Sequence, residues 1–377
     1  MKVLMISSDR NILTSGSPVS ERMKEYGALV DELHIVLLSN ASHGLKDGQI
    51  SKNVWVYPTN SSVSFLRPWD ATRIGEKLVY TKKFTRGECV ITADSIECGW
   101  AGLKVKRKWR LPLEVQLHTD PFSPYFSGFQ NRVRKFFARR VLNAADGIRV
   151  VSEDLKAKIL NLKSDAPVYV LPIYVDQGKM GGGQIAFDLH ARYGWHFIML
   201  AVSRLSPEKN LGLAIETLAL VRQRFPDTGL VVVGSGPEEG RLKSLVKKLS
   251  LDGAVEFVGW QNDLTSFYKT ANLFIQTSLF EGYGLALVEA GLNGLPVVTT
   301  PVGIAGELEN GKDAYICNVG DKEAFVKAVS DLIENNFKRE NLRLNLKNKL
   351  EEKLISKEEY LKRMLLAWEA CAKKVRS

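Results

Sequence analysis

The chain has 377 residues, with 45% hydrophobic and 25% charged side chains and a formal net charge of +10. That length accommodates two ordinary domains, and the balance excludes collagenous, low-complexity and disordered classes. The positive charge suits an anionic partner, whether nucleoside diphosphate, acidic lipid or nucleic acid, and does not choose among them.

The first residues form a short apolar strand interrupted by Asp9 and Arg10, not a signal peptide. Residues 2–7, 33–38, 54–58, 89–93, 113–118 and 147–152 read as buried strands rich in Val, Ile and Leu, with helical stretches between them. That alternation predicts a doubly wound α/β domain with a parallel sheet. Gly16 lies in the loop after the first strand, and Ser17 before Pro18 starts a helix over about 19–29. No Gly-x-Gly-x-x-Gly occurs there, so this is not the usual dinucleotide turn. His118 falls where a strand gives out to a loop, and Asp120 either joins it in a site or caps the next segment.

Residues 129–145 predict an amphipathic helix with Phe129, Val133, Phe136, Phe137 and Val141 at helical spacing. Arg132, Arg134, Lys135, Arg139 and Arg140 form its basic complement, and residues 104–110 form a second basic cluster. Two readings stand: a core-facing helix with a solvated charged side, or docking to anionic lipid headgroups or a phosphorylated acceptor. Nucleic acid is disfavoured because no base-reading motif accompanies the charge. No apolar run is long enough to span a membrane. Cys89, Cys98, Cys317 and Cys371 are scattered without Cys-x-x-Cys spacing, which reads as reduced thiols in a cytoplasmic protein.

Residues 169–175 read as the passage between domains, followed by a glycine-rich stretch over 177–183. A strand over 197–202 then delivers Ser203, Arg204 and Lys209 to its carboxyl end, just before a helix from 211. Two cations beside a helix N-terminus suit a diphosphate. A strand over 230–233 leads to a glycine-rich turn containing Gly234 and Gly236, which departs from the dinucleotide pattern at Pro237 and Gly240. Trp260 ends the next strand, placed either to pack or to stack near a base. Residues 273–278 and 295–300 read as strands flanking a helix over 285–293. Glu281-Gly282-Tyr283-Gly284 is therefore a loop at a strand's carboxyl end that opens onto a helix at Leu285. Ligands of open α/β sheets bind at that edge, and free N–H groups at the helix start favour phosphate. Glu281 and Glu289 are eight residues apart, about 80° off a shared face on one helix. With the first on the loop and the second in the helix, both can face one ligand. After 321 the chain reads as helical, over 323–335 and then 339–376. The spacing of Leu361, Met364, Leu365, Trp368 and Cys371 marks a packing face there.

Phe280-Glu281-Gly282-Tyr283-Gly284-Leu285-Ala286-Leu287-Val288-Glu289-Ala290 resembles the Glu-x7-Glu signature of the retaining glycosyltransferases of family 4. Arg204-Leu205-Ser206-Pro207-Glu208-Lys209-Asn210 resembles that family's donor-phosphate loop. The resemblance implies a GT-B fold: two Rossmann-like doubly wound domains facing each other across a cleft, with a final helix crossing back onto the first. The expected domains are 1–175, 176–355 and a terminal helix over 356–377. It implies transfer of a sugar, with retention and without metal or other cofactor, from a nucleoside diphosphate sugar to an acceptor hydroxyl. The basic character of the first domain points to a lipid-linked or cell-surface glycan as that acceptor. UDP is the favoured nucleotide and GDP the second. Arg204 and Lys209 would stabilise the leaving diphosphate, Glu281 and His118 would meet the donor sugar, and Glu289 would hold the ribose. Gly16, Asp120, Ser203, Gly236, Trp260, Gly282, Tyr283, Gly284 and Leu285 complete the expected donor surroundings. A cytoplasmic location is expected, with peripheral contact to the inner membrane face through the basic helix. The rival readings are a sugar-nucleotide epimerase of the same fold, a glycosidase using Glu281 and Glu289, a binding protein without catalysis, and an NAD dehydrogenase.

Overall fold

The computed structural model describes residues 1–123, 129–162, 165–176 and 183–374. The chain divides into two compact units: Met1–Pro172 with Ile355–Ser377, and Ile173–Leu354.

The sheet of the first unit contains β1 (Lys2–Ser7), β2 (Glu32–Leu37), β3 (Gly48–Ser51), β4 (Val54–Pro58), β5 (Cys89–Ala93), β6 (Leu113–Leu117), β7 (Gly147–Val150) and β8 (Val168–Val170). Their order across the sheet is β3-β4-β2-β1-β5-β6-β7-β8. All neighbours run parallel except β3, which pairs antiparallel with β4. Five helices alternate with these strands: α1 (Pro18–Ala28), α2 (Arg67–Thr81), α3 (Ile96–Trp109), α4 (Phe129–Asn143) and α5 (Glu153–Leu160). Side-chain caps start three of them. Ser17 accepts from the N–H of Ser20, Ser95 from that of Cys98 and Ser152 from that of Leu155. The central strands are buried along their length, as a parallel sheet covered on both faces requires.

The second unit repeats the scheme with β9 (Phe197–Val202), β10 (Thr228–Val233), β11 (Val255–Gly259), β12 (Leu273–Gln276), β13 (Val297–Thr299) and β14 (Tyr315–Ile316). These run parallel in the order β11-β10-β9-β12-β13-β14. Its helices are α6 (Leu189–Tyr193), α7 (Leu211–Val221), α8 (Glu239–Lys248), α9 (Thr265–Thr270), α10 (Leu285–Leu292), α11 (Lys322–Glu334) and α12 (Asn336–Lys353). Its core gathers Met199, Ala214, Leu218, Leu230, Ile275 and Phe325. The last helix, α13 (Lys357–Lys374), belongs to the first unit, where Trp368 is fully buried and its indole N–H donates to Glu114 at 3.0 Å.

Two expectations needed correction, and two short strands carried no sequence signal. The helix read over 339–376 is two helices, α12 and α13. Leu354 leaves the helical region with ψ 138°, and the hydroxyl of Ser356 accepts from the N–H of Glu359 to start α13. The chain passes from the second unit to the first at that break. Strands β3 and β8 are short and lie at the two edges of the sheet, where little burial pattern marks them. On α4 the buried face is Ala138, Val141 and Leu142, whereas Val133 and Phe136 are exposed among the arginines. Only the backbone of Phe129 is described, and residues 177–182 of the glycine-rich stretch lie outside the described residues. Among the described residues no helix is long and apolar enough to cross a membrane. All four cysteines are buried free thiols.

Candidate active site

Each sheet has a strand flanked by neighbours that wind in opposite directions. In the second unit that strand is β9, between β10 and β12. Loops leaving the carboxyl ends of β9 and β12 therefore open on a topological switch point. They carry Ser203–Asn210 and Thr277–Gly284, which include Ser203, Arg204, Lys209, Glu281, Gly282, Tyr283 and Gly284 of the residues expected from the sequence.

Side chains join the two loops. Lys209 Nζ lies 2.7 Å from Glu281 Oε1, and the hydroxyl of Ser278 donates to the same oxygen at 2.8 Å. The hydroxyl of Thr277 donates to the carbonyls of Lys209 and Asn210 at 3.1 and 3.0 Å. The backbone closes the join, with Leu279 N–H donating to the carbonyl of Glu208 at 2.8 Å. Lys209 and Glu281 are mostly shielded, with 20% and 13% of their side-chain surface exposed, so this is a positioned pair rather than a loose surface contact. Arg204 is 69% exposed and leans on Glu208 at 2.5 Å and on Ser206 at 3.2 Å. Burial opposes ionisation of Glu208, but hydrogen bonds from Ser206 and Arg204 outweigh it and hold the carboxyl below its ordinary range.

The glycine-rich turn has a packing reason. Gly234 has φ +131°, and a Cβ there would run into the carbonyl of Ser203; one on Gly236 would meet that of Leu205. Two backbone hydrogen bonds of 3.0 Å, from Leu205 N–H to Ser235 and from Glu238 N–H to Leu205, bind the turn to the cationic loop. Ser203 Oγ is buried with no hydrogen-bond partner among the described residues. Gly284 has φ +90° and stands at the N-cap of α10 without a capping side chain, which leaves the first N–H groups of that helix for a ligand. Leu285 beside it is exposed, whereas Tyr283 is buried.

Glu289 sits one turn further along α10 and accepts from the hydroxyl of Tyr268 at 2.9 Å. Burial raises its pKa and the Tyr268 hydrogen bond offsets part of that rise. Trp260 follows β11 with its indole 72% exposed and its N–H donating to Asn262 at 3.3 Å, a free aromatic face at the same sheet edge.

Three expected residues lie on the first unit. Gly16 has φ +73° and open space where a Cβ would be. His118 follows β6 with its ring exposed. The surrounding protein desolvates it even so, and Arg149 and Arg22 add to a downward pKa shift that keeps the imidazole neutral at pH 7. Asp120 accepts from the N–H of Phe122 at 2.8 Å and faces Lys158 at 4.0 Å, so it holds its own loop.

Sequence reasoning missed Thr277, Ser278 and Tyr268, which position the lysine, Glu281 and Glu289. Nothing local distinguishes them from other polar strand-end and helix residues; their partners lie up to 68 residues away.

The family model of glycosyl transferases group 1 matches residues 188–349, and that of the glycosyl transferase 4-like domain matches residues 43–173. An uncharacterized glycosyltransferase of Haemophilus influenzae is 30% identical over 139 residues, 36% of this chain and 39% of its own length. The capsular polysaccharide biosynthesis glycosyltransferase CapM of Staphylococcus aureus is 26% identical over 239 residues, 61% of this chain and 63% of its own. The chain thus spans less than two thirds of either relative. The crystal structure of Anabaena HepE in complex with UDP and glucose superposes with a TM-score of 0.77 at 21% identity, covering 97% of this chain and 98% of that one. At that identity the likeness speaks for the fold.

Proposed function

Because the chain belongs to the group 1 glycosyl transferases, with the GT-B fold, we propose that it is a retaining glycosyltransferase that uses a nucleoside diphosphate sugar, with UDP as the favoured nucleotide. The observation that carries this reading is the joined pair of loops at the β9/β12 switch point, where Arg204 and Lys209 leave β9 and Glu281, paired with Lys209, precedes the open N-terminus of α10. Departure of a diphosphate from an anomeric carbon builds negative charge on the leaving group. Arg204, Lys209 and the helix N-terminus oppose that charge, and the reading needs no resident metal because these groups supply it.

In the structure Lys209 is paired with Glu281. On donor binding the lysine turns to the phosphates and the glutamate is released to accept from sugar hydroxyls. Glu289, held by Tyr268, accepts from the ribose, and Trp260 offers its face to the base. His118, neutral, is assigned to the donor sugar, and Asp120, Gly16 and Ser203 to its surroundings; those assignments rest on the family resemblance. The acceptor hydroxyl attacks from the leaving-group face, and the departing phosphate takes its proton. The HepE complex with UDP and glucose supports UDP, and the capsular role of CapM supports a cell-surface glycan as acceptor. Exposed Val133 and Phe136 among exposed Arg132, Arg134, Arg139 and Arg140, with Lys135 beside them, support contact with an anionic membrane surface.

A thermal-shift panel with UDP, GDP, ADP and NAD tests the reading. A ligand at 100 times its Kd stabilises by about 2.7 kcal/mol, a readily visible shift. The expected result is a shift with UDP that Arg204→Ala and Glu289→Ala both weaken. A shift with NAD alone would overturn the transferase reading.

A further inference from the structure

The carboxyl edge of the first unit carries a polar pocket that the donor reading does not use. It holds about 470 Å³ and is lined by Ser8, Asp9, Arg10, Asn11 and His43, with Leu45 as an apolar flank. It opens where the chain leaves β1 and where the turn after β2 brings His43 back.

The hydrogen bonds of His43 are in conflict. The backbone N–H of Asn40 points at its Nδ1 at 3.1 Å. An amide N–H can only donate, so Nδ1 accepts and the neutral ring carries its proton on Nε2. Nε2 lies 2.6 Å from Nη1 of Arg10, and a guanidinium nitrogen also only donates. Two N–H groups, one of them cationic, therefore converge with no acceptor between them. Moving the ring proton to Nδ1 transfers the same conflict to Asn40. An acceptor that takes both hydrogens removes it, and a negatively charged one does so most strongly. Both side chains are exposed, so such a group can enter from solvent. Asp9 also lines the pocket and brings a negative charge, with its Oδ1 accepting from the N–H of Asn11 at 3.0 Å, so an anion has to enter on the Arg10 and His43 side.

We propose that Arg10 and His43 bind an anionic group, phosphate or carboxylate, carried by the acceptor, an assignment that rests on the transferase reading above. The fork of Arg10 offers two parallel donors to such a group and His43 adds a third. The acceptor is then a phosphorylated or acidic glycan rather than a neutral sugar.

The test follows the ring resonances of His43 by NMR in the full chain, titrated with inorganic phosphate and, separately, with glucuronate. The expected result is a saturable response to one of them, weakened about tenfold in Arg10→Ala, with the UDP thermal shift of that variant unchanged. Response to phosphate assigns a phosphorylated acceptor, and response to glucuronate an acidic sugar. No saturable response to either probe overturns the proposal, as does a response that persists in Arg10→Ala and is unchanged by His43→Gln when followed by thermal shift. Competition by UDP gives the site to the donor and overturns the acceptor assignment. A protein that answers UDP but neither anion keeps the transferase reading and loses this one. One that answers an anion but no nucleoside diphosphate loses the transferase reading instead.

Discussion

The two units share a topology but arm equivalent edges differently. In the second, the loops after β9 and β12 present Arg204 and Lys209, joined to Glu281 and stitched by backbone to a glycine turn. In the first, the equivalent edge between β1 and β5 ends in Asp94, whose Oδ2 accepts from the Ser7 hydroxyl and from the Ser8 N–H at 3.2 Å. Burial raises the pKa of Asp94 against the lowering effect of those donors. The second unit's switch point joins a lysine to a glutamate across its two loops, whereas the first unit's encloses a carboxyl and carries one exposed cation, Arg10, on the loop after β1. The fold thus sets where a ligand approaches, and side chains decide which ligand it is.

That contrast is broken most directly by chemistry. Lys209→Ala should lower turnover of the donor sugar roughly 10²–10³-fold, the scale for losing one group that stabilises developing charge. Asp94→Asn, which keeps the shape and removes the charge, should leave UDP binding as it is. Measured donor hydrolysis and UDP titrations of both variants decide the matter. Equal losses in the two would mean that the edges are not specialised in this way.

A second contrast concerns surfaces rather than edges. The basic face of α4 belongs to the first unit, and the donor loops to the second. Basic residues near an anionic bilayer contribute about 1 kcal/mol each. Replacing Arg132 and Arg139 with Ala should therefore weaken binding to vesicles containing acidic lipid roughly 30-fold, with UDP affinity unchanged. Vesicle binding that stays at the wild-type level would remove the membrane from the reading.

How legible these regions were in the sequence depends on where their partners lie. The loop Glu281–Gly284 could be placed because a short apolar strand precedes it and a helical run comes after it within the same stretch. The loop Ser203–Lys209 could be placed for the same reason. The pairing of Lys209 with Glu281 spans 72 residues and depends on β9 and β12 being neighbours, which no local pattern states. The face of α4 was misjudged because Phe136 and Val133 fit the helical period as well as Ala138, Val141 and Leu142 do, and only packing separates them. The helical pattern ran through the break at 354–356, although the expected domain boundary falls at 355/356, because Leu354 and Ile355 continue the helical composition and the signal for a new helix is a single serine cap.

The finest distinction lies within the second unit, between two glutamates at one edge. Glu281 is matched by Lys209, whereas among the described residues Glu289 is met by the Tyr268 hydroxyl and by no cation, and burial raises its pKa. A carboxyl whose folded pKa lies above its unfolded one contributes stability that is complete at low pH and lost as pH rises through the folded value. Glu289→Gln keeps an acceptor for Tyr268 and removes the charge. The variant should therefore melt above the wild type near neutral pH, with the difference closing as the pH is lowered into the acid range. UDP affinity should respond in the opposite sense. In the wild type it should weaken on acidification, as the carboxylate that accepts from the ribose is protonated, and in the variant it should be weaker throughout and lack that dependence. Melting curves and UDP titrations at several pH values measure both. If the variant were less stable than the wild type at neutral pH, Glu289 would be paired in solution by a cation, and its role would match that of Glu281.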